Sequence, residues 1–338
     1  MKTIKCADLH AVGDLRCEEK PFPTRGKDEV LLRVKSCGIC GSDIGRVYKK
    51  GTYHFPTVIG HEFSGKIADA EDKELIGKRA AVFPLLPCFS CESCRGEHYA
   101  TCSHYDYYGS RRDGGMSEYI AVKKWNLVFM PDGLSYDEGA MCEPASVARH
   151  AALKLNIGDD TRLLIAGAGP IGLIVGKWAK LFGAKEVFFL DIDRQKLDFA
   201  QKLGFSVYTD GTTVDRFLEG TGCSDALKTC LAAAKPDARG VFMGNPVGDM
   251  LLPQDTYWQI LRKELKIEGT WNSSYNDRQN DWKESLRAMA DGDLDLKPLI
   301  THRYPLCECE RAFEMMRDKK EFFVKVMLTM NREGETAK

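Results

Sequence analysis

Between residues 28 and 35 the apolar side chains Val30, Leu32 and Val34 alternate with Leu31, Arg33 and Lys35, the two-residue period of a strand with one buried face. Further short strands are predicted at residues 62–69, 79–85 and 118–123, separated by turns rich in glycine and proline, so the first 140 residues read as mostly β. After about Glu143 the pattern changes. Strands at 162–166, 186–191, 240–244 and 265–270 alternate with helices at 171–182, 194–203, 226–234 and 253–262, which predicts a parallel sheet with helices on both faces. One gap breaks the alternation: only four residues separate a possible strand at 206–209 from the next at 214–219. A parallel crossover needs about a dozen. Residues 206–215 are therefore expected to be a trimmed crossing segment that shortens the first half of the sheet. The tail, with a helix near 309–318 and an apolar run at 322–328, is expected to return to the first domain.

A chain of 338 residues is too long for one ordinary core and suits two. The expected division is residues 1–147 with 275–338, and residues 148–274. Lysine and arginine number 48 against 49 aspartates and glutamates, so no net field attracts nucleic acid or an anionic membrane. The most apolar stretch, residues 163–176, is interrupted by glycines and Pro170 and falls short of the roughly 20 residues that span a bilayer. Residues 1–14 contain no sustained apolar core of the kind a secretory signal needs, so the 13 cysteines are expected to be thiols or metal ligands in a cytoplasmic protein.

Cys88, Cys91, Cys94 and Cys102 follow a C-x2-C-x2-C-x7-C spacing that can fold into one tetrahedral shell around zinc. Four sulfurs leave no open position, so the expected role is structural. Four unrelated thiols, or an iron–sulfur cluster on the same ligands, are the competing readings; nothing else in the sequence argues for electron transfer. A nucleic-acid-binding zinc ribbon requires a basic, aromatic surface, whereas Glu92, Arg95, Glu97 and His98 are near neutral.

Gly167-Ala168-Gly169-Pro170-Ile171-Gly172 follows an apolar strand and opens an apolar helix, the context a dinucleotide loop requires. Asp191 ends the next strand, where a carboxylate accepts hydrogen bonds from ribose hydroxyls and repels a 2′-phosphate, favouring NAD over NADP. Asp191 could instead cap the following helix, and Arg194 nearby could weaken the discrimination.

Three further segments carry groups that could meet at an open metal site: Cys40 with Ser42 and Asp43, His61 with Glu62, and Glu143 in Cys142-Glu143-Pro144. Taken singly, each reads as core or turn. Together with the four-cysteine lobe and the GAGPIG loop, the segments Gly38-Ile39-Cys40-Gly41-Ser42-Asp43, Gly60-His61-Glu62 and Glu143-Pro144 resemble the zinc-dependent medium-chain alcohol dehydrogenase superfamily over essentially the whole chain. That resemblance implies an α/β protein: a GroES-like, mostly β catalytic domain, a doubly wound Rossmann domain, and a substrate cleft between them. It makes Cys40 and His61 zinc ligands, and Glu62 and Glu143 ligands or near-ligands exchanging with water. Ser42 becomes the hydroxyl that handles the alcohol proton, and Asp43 the orienter of His61. Cys37 and Cys142 sit beside these positions without matching them. Gly45 stands where many alcohol dehydrogenases continue the proton relay through a histidine, so Glu62, Glu143 or water is left to complete it.

The segments Pro84-Leu85-Leu86-Pro87-Cys88-Phe89, Tyr107-Tyr108-Gly109-Ser110-Arg111-Arg112-Asp113-Gly114-Gly115 and Ile260-Leu261-Arg262-Lys263-Glu264-Leu265 resemble the galactitol-1-phosphate 5-dehydrogenase family. Trp271-Asn272-Ser273 replaces the Arg-Tyr pair of sorbitol dehydrogenases. The substrate this implies is a polyol phosphate oxidised at a secondary hydroxyl by hydride transfer to NAD. The phosphate would seek Arg46, Lys49, Arg111 or Arg112, each of which could equally be a solvated charge, with Arg111 and Arg112 paired locally to Asp113. An unphosphorylated polyol such as sorbitol, another pentitol phosphate, or a catalytically silent NAD(P)-binding protein are the alternatives. The resemblance also implies a homodimer or homotetramer, with residues 240–244 and 265–270 as possible sheet-edge contributors.

Overall fold

The computed structural model describes residues 2–246 and 248–330. The chain divides into two compact units, Met1–Glu143 with Ser274–Lys338, and Pro144–Ser273. In chain order the first unit contributes β1 (Thr3–Ala11), β2 (Asp14–Pro21), β3 (Glu29–Ile39), α1 (Gly41–Gly45), β4 (Thr57–Val58), β5 (Glu62–Asp69), β6 (Arg79–Val82), β7 (Leu85–Leu86), α2 (Glu92–Arg95), β8 (Asp106–Tyr107), β9 (Tyr119–Lys123), β10 (Leu127–Phe129) and α3 (Tyr136–Ala140). Helix α4 (Cys142–Lys154) leads into the second unit. There follow β11 (Arg162–Ala166), α5 (Pro170–Leu181), β12 (Glu186–Leu190), α6 (Arg194–Lys202), β13 (Ser206–Val207), β14 (Val214–Glu219), α7 (Ser224–Ala233), β15 (Ala234–Phe242), α8 (Gln254–Arg262) and β16 (Lys266–Gly269). The tail returns to the first unit with α9 (Asp281–Ala290), β17 (Ile300–Pro305), α10 (Cys309–Asp318) and β18 (Lys325–Thr329).

The first unit is built on a sheet ordered β10-β6-β5-β3-β18-β17, with β9 also paired to β3, beside a smaller sheet β2-β1-β4. Strand β3 buries Val30, Leu32 and Val34 fully in a core shared with Phe63, Ile67, Phe313 and Leu328, while of the opposite set Arg33 and Lys35 stay partly exposed and Leu31 is buried as well. The apolar run in the tail enters this sheet as β18, antiparallel to β3 through Val326↔Ile39 and Leu328↔Cys37. The hairpin β1–β2 has no simple alternation in its sequence because its inward face carries Cys6 and Asp8 beside apolar residues. The stretch expected as one strand at 79–85 is two, broken before β7.

The second unit is a parallel sheet ordered β13-β12-β11-β14-β15-β16, with Leu164, Ala166, Phe217 and Leu231 in its core. The doubly wound order is complete, yet its third strand is two residues long, and 208–213 return to β14 without a helix. Helix α7 stops at Ala233 and β15 begins six residues earlier than expected, because Pro236 forbids helical continuation and holds Lys235 extended. Strand β15 pairs on both sides, so of the two segments expected at the sheet edge only β16 lies there. Among the described residues no helix is long and apolar enough to cross a membrane.

Candidate active site

The four-cysteine lobe closes on itself. Cys88 Sγ lies 3.9 Å from Cys94 Sγ and Cys91 Sγ 3.9 Å from Cys102 Sγ, and all four sulfurs fall within 4.8 Å of one another. Zinc–sulfur bonds of about 2.3 Å give tetrahedral edges of about 3.8 Å, so the donor set fits zinc. The Cys91 amide donates to Cys88 Sγ at 3.4 Å and the Cys88 amide to Cys102 Sγ at 3.3 Å, bonds that favour thiolates. With the Ser90 hydroxyl the leading contributor, Cys88 is drawn down to about 5. The lobe rests on aromatic rings: Trp125 meets Phe89, Tyr99 and Tyr275 edge-on at 5.0, 5.3 and 5.0 Å. Asn276 from the tail donates to the Glu97 carbonyl at 3.0 Å.

A second donor set joins residues far apart in sequence. Cys40, at the N-terminus of α1, meets His61 and Glu62, which enter β5, with ligand atoms within 4.8 Å of one another. Asp43 is fully buried behind them, its Oδ1 3.3 Å from His61 Nδ1 and its Oδ2 accepting the Cys40 amide at 3.0 Å. Burial works to raise Asp43, but His61, Arg46 and the Cys40 amide outweigh it and hold the carboxyl down at about 2. Burial likewise opposes charge on His61, yet Asp43 and Cys40 lift its pKa well above the ordinary value. Arg46 Nη1 donates to Ser42 Oγ and to Asp43 Oδ1, both at 2.8 Å. Glu143 is buried outside the 4.8 Å cluster and is pushed up to about 7, first by burial and then by Glu62 and Asp43, with His61 and Lys325 opposing. One thiolate, one imidazole and nearby carboxylates suit zinc with a position left for substrate.

Lys325 completes this site and escaped the sequence reading. Its Nζ donates to both Glu62 carboxylate oxygens, at 2.7 and 2.6 Å, and to the Ile39 carbonyl at 3.4 Å, with both side chains almost fully buried. The available signal was a lone lysine inside the apolar run Phe322-Phe323-Val324-Lys325-Val326-Met327-Leu328. Such an ion demands a partner.

The basic residues separate in role. Arg112 pairs with Asp106 at 2.7 Å, and Asp113 instead accepts the Val58 amide at 2.9 Å. Arg111 is sandwiched between the rings of Tyr53 and Tyr105, 4.0 and 4.5 Å from its guanidinium carbon, and its buried Nε has no hydrogen-bond partner among the described residues. The Arg111 amide donates to the Tyr107 carbonyl at 3.0 Å, and the Tyr107 ring is 5.8 Å from that of His61. Lys49 is exposed in the turn after α1.

In the second unit the Gly167 amide bonds the Leu190 carbonyl at 2.8 Å, joining the glycine loop to the end of β12. A Cβ on Gly172 would lie 2.0 Å from the Gly167 carbonyl oxygen, whereas one on Gly169 would meet open space at the start of α5. The loop thus packs tightly inward and leaves room on its outer side, as pyrophosphate binding requires. Asp191 accepts the Ala168 amide at 2.8 Å and the Asp193 amide at 2.9 Å. Asp193, not Asp191, caps α6. Arg194 is largely exposed and paired to Asp198 at 2.9 Å.

A GroES-like unit with two zinc-type donor sets and a Rossmann unit with a glycine loop define the two-domain dehydrogenase class. Residues 26–132 match the alcohol dehydrogenase GroES-like domain and residues 170–291 the zinc-binding dehydrogenase domain. Galactitol 1-phosphate 5-dehydrogenase of Escherichia coli K12 is 35% identical, the match covering 86% of this chain and 90% of that protein. Sorbitol dehydrogenase of Bacillus subtilis is 30% identical over 98% of each chain. The crystal structure of galactitol-1-phosphate dehydrogenase from Escherichia coli superposes with a TM-score of 0.89 at 32% identity, covering 96% of this chain and 99% of that one. The chain belongs to the zinc-dependent medium-chain alcohol and polyol dehydrogenase superfamily.

Proposed function

We propose that this protein oxidises a secondary hydroxyl of a polyol phosphate to a ketone, passing hydride to NAD. The observation that carries the reading is the Cys40–His61–Glu62 donor set backed by Asp43, on a chain that also holds the Gly167–Gly172 loop. Cys40 and His61 hold zinc, with Glu62 and Glu143 as ligands or near-ligands exchanging with water. Zinc there supplies Lewis acidity: an alcohol loses hydride readily only once deprotonated, and a pKa lowered from about 16 to about 7 corresponds to about 12 kcal/mol. A neutral hydrogen bond contributes about 1 kcal/mol net, far too little alone.

The residues around the metal balance its charge. Glu62 is offset by Lys325 and Asp43 by Arg46, while Glu143, pushed up to about 7, would be drawn to its ionised form by a divalent ion bound beside it. Asp43, beside His61 Nδ1, orients the ring and would leave its other nitrogen to hold the zinc. Ser42, exposed and with Oγ oriented by Arg46, accepts the substrate proton as its own hydroxyl proton passes to solvent water. The Asp191 carboxylate receives the ribose hydroxyls, and Ala168 and Asp193 hold it in place.

Arg111 is the phosphate anchor. Its guanidinium is pre-oriented by two tyrosine rings, keeps a buried N–H free, and lies one loop beyond Tyr107, the neighbour of His61. Arg46 and Arg112 are already committed to carboxylates. Zinc-loaded protein incubated with NAD and a panel of polyols and polyol 1-phosphates tests the reading through absorbance of the reduced cofactor. Turnover confined to phosphorylated polyols and abolished in Cys40→Ser is expected. Equal turnover of free sorbitol or xylitol removes the phosphate assignment, and no turnover with any substrate despite bound NAD favours a silent binding protein.

A further inference from the structure

The hairpin β1–β2 carries a third group of ligand atoms, separate from both cysteine-bearing sets. Asp8 lies on β1 just before an irregularity between Leu9 and Ala11 that holds His10, and Glu18 lies on β2, where the strands pair through Cys6↔Glu18. His10 Nε2 is 3.0 Å from Glu18 Oε1 and 3.9 Å from Asp8 Oδ2. All three ligand atoms lie within 4.8 Å of one another. Bonds of about 2.1 Å to nitrogen and oxygen give tetrahedral edges of about 3.4 Å, between the two separations observed.

The surroundings favour a cation. The Asp8 side chain is 0% exposed, and its Oδ1 accepts no hydrogen bond among the described residues. A buried carboxylate oxygen without a donor is costly, and burial leads the effects that raise the Asp8 pKa. One ammonium, Lys20, is shared by two carboxylates, its Nζ 3.0 Å from Asp8 Oδ2 and 3.8 Å from Asp113 Oδ2, while Glu18 pairs with His10. His10 and Glu18 are about one-quarter and one-third exposed, which leaves an open side for entry.

We infer that Asp8, His10 and Glu18 form a third divalent-cation site, selective for ions that accept mixed nitrogen and oxygen ligands, zinc foremost. Lys20 is its resident counter-ion. On metal binding the ammonium moves from Asp8 toward Asp113, so the lysine competes with the metal and keeps this site weaker than the two that contain thiolate. An occupied site ties β1 to β2, the strand pair whose β1 also pairs with β4 at Asp8↔Val58.

The holoenzyme, with both cysteine-containing sites filled, is titrated with zinc by equilibrium dialysis while its melting temperature is followed. A third equivalent per chain is expected, with a melting temperature that rises as it binds. His10→Ala and Glu18→Gln lose that equivalent and the melting response, and Asp8→Asn does the same if it folds. Lys20→Met tightens the third equivalent by about tenfold or more, the order expected when a like charge a few ångströms from the ion is removed near the protein surface. Saturation at two equivalents in the native chain overturns the site. So does a third equivalent that survives His10→Ala, or one weakened by Lys20→Met.

Discussion

The four-cysteine lobe draws every ligand from residues 88–102, whereas the Cys40–His61–Glu62 site draws on α1, the entry to β5 and, through Lys325, a strand near the end of the chain. The lobe is all sulfur and closed, and its nearest support is a cluster of aromatic rings. The other site mixes sulfur, nitrogen and carboxylate, and its support is ionic: Asp43 with Arg46, and Glu62 with Lys325. A local closed shell stabilises the fold around it. An open shell has to be imposed by the fold, with buried charges held by partners distant in sequence, because unsatisfied ligands and space for substrate do not hold themselves in place.

The largest expected effect comes from breaking the open site alone. Cys40→Ser should lower turnover by on the order of ten thousandfold or more, since the reaction rests on most of the about 12 kcal/mol of acidification, while lowering the melting temperature less than loss of the lobe zinc does. Lys325→Met sharpens the contrast in support: it strands the buried Glu62 carboxylate and should cost about 3–5 kcal/mol in denaturant unfolding, with partial recovery in Lys325→Arg. Arg111→Gln should lower kcat/KM for a polyol phosphate by about 10- to 150-fold, corresponding to loss of a charge-assisted bond of about 1.5–3 kcal/mol, chiefly through KM. Smallest is Asp191→Asn, which keeps an acceptor but removes repulsion of a 2′-phosphate; the preference for NAD over NADP, compared in parallel assays, should fall by about tenfold or less.

The same contrast governed what the sequence disclosed. The two-domain architecture, the parallel strands β11, β12 and β14, and helix α10 could be read because period and spacing are local properties, and the four-cysteine spacing was legible for the same reason. The shortened third strand was legible as a length that no helix could fill. Hairpin β1–β2 was not, since Asp8 turns inward where alternation calls for an apolar residue. The early start of β15 was missed because alanines before Pro236 favour helix until the proline is weighed. For the open site, spacing alone left Cys40, His61 and Glu143 as unrelated singles; the family resemblance grouped them, but it said nothing of Lys325. Only the pairing of β18 with β3 brings that lysine to Glu62.

Zinc content and turnover measured together on the native chain, Cys40→Ser and Cys94→Ser, each dialysed to remove weakly held metal, test the division of labour most directly. The account predicts two zinc ions and full activity in the native chain. Cys40→Ser should retain the lobe zinc but not turnover, with a small fall in melting temperature from the ion it loses, and Cys94→Ser should lose the lobe zinc with a clearly larger fall. Substantial turnover in Cys40→Ser, or a Cys94→Ser protein that melts as the native one does, would contradict it.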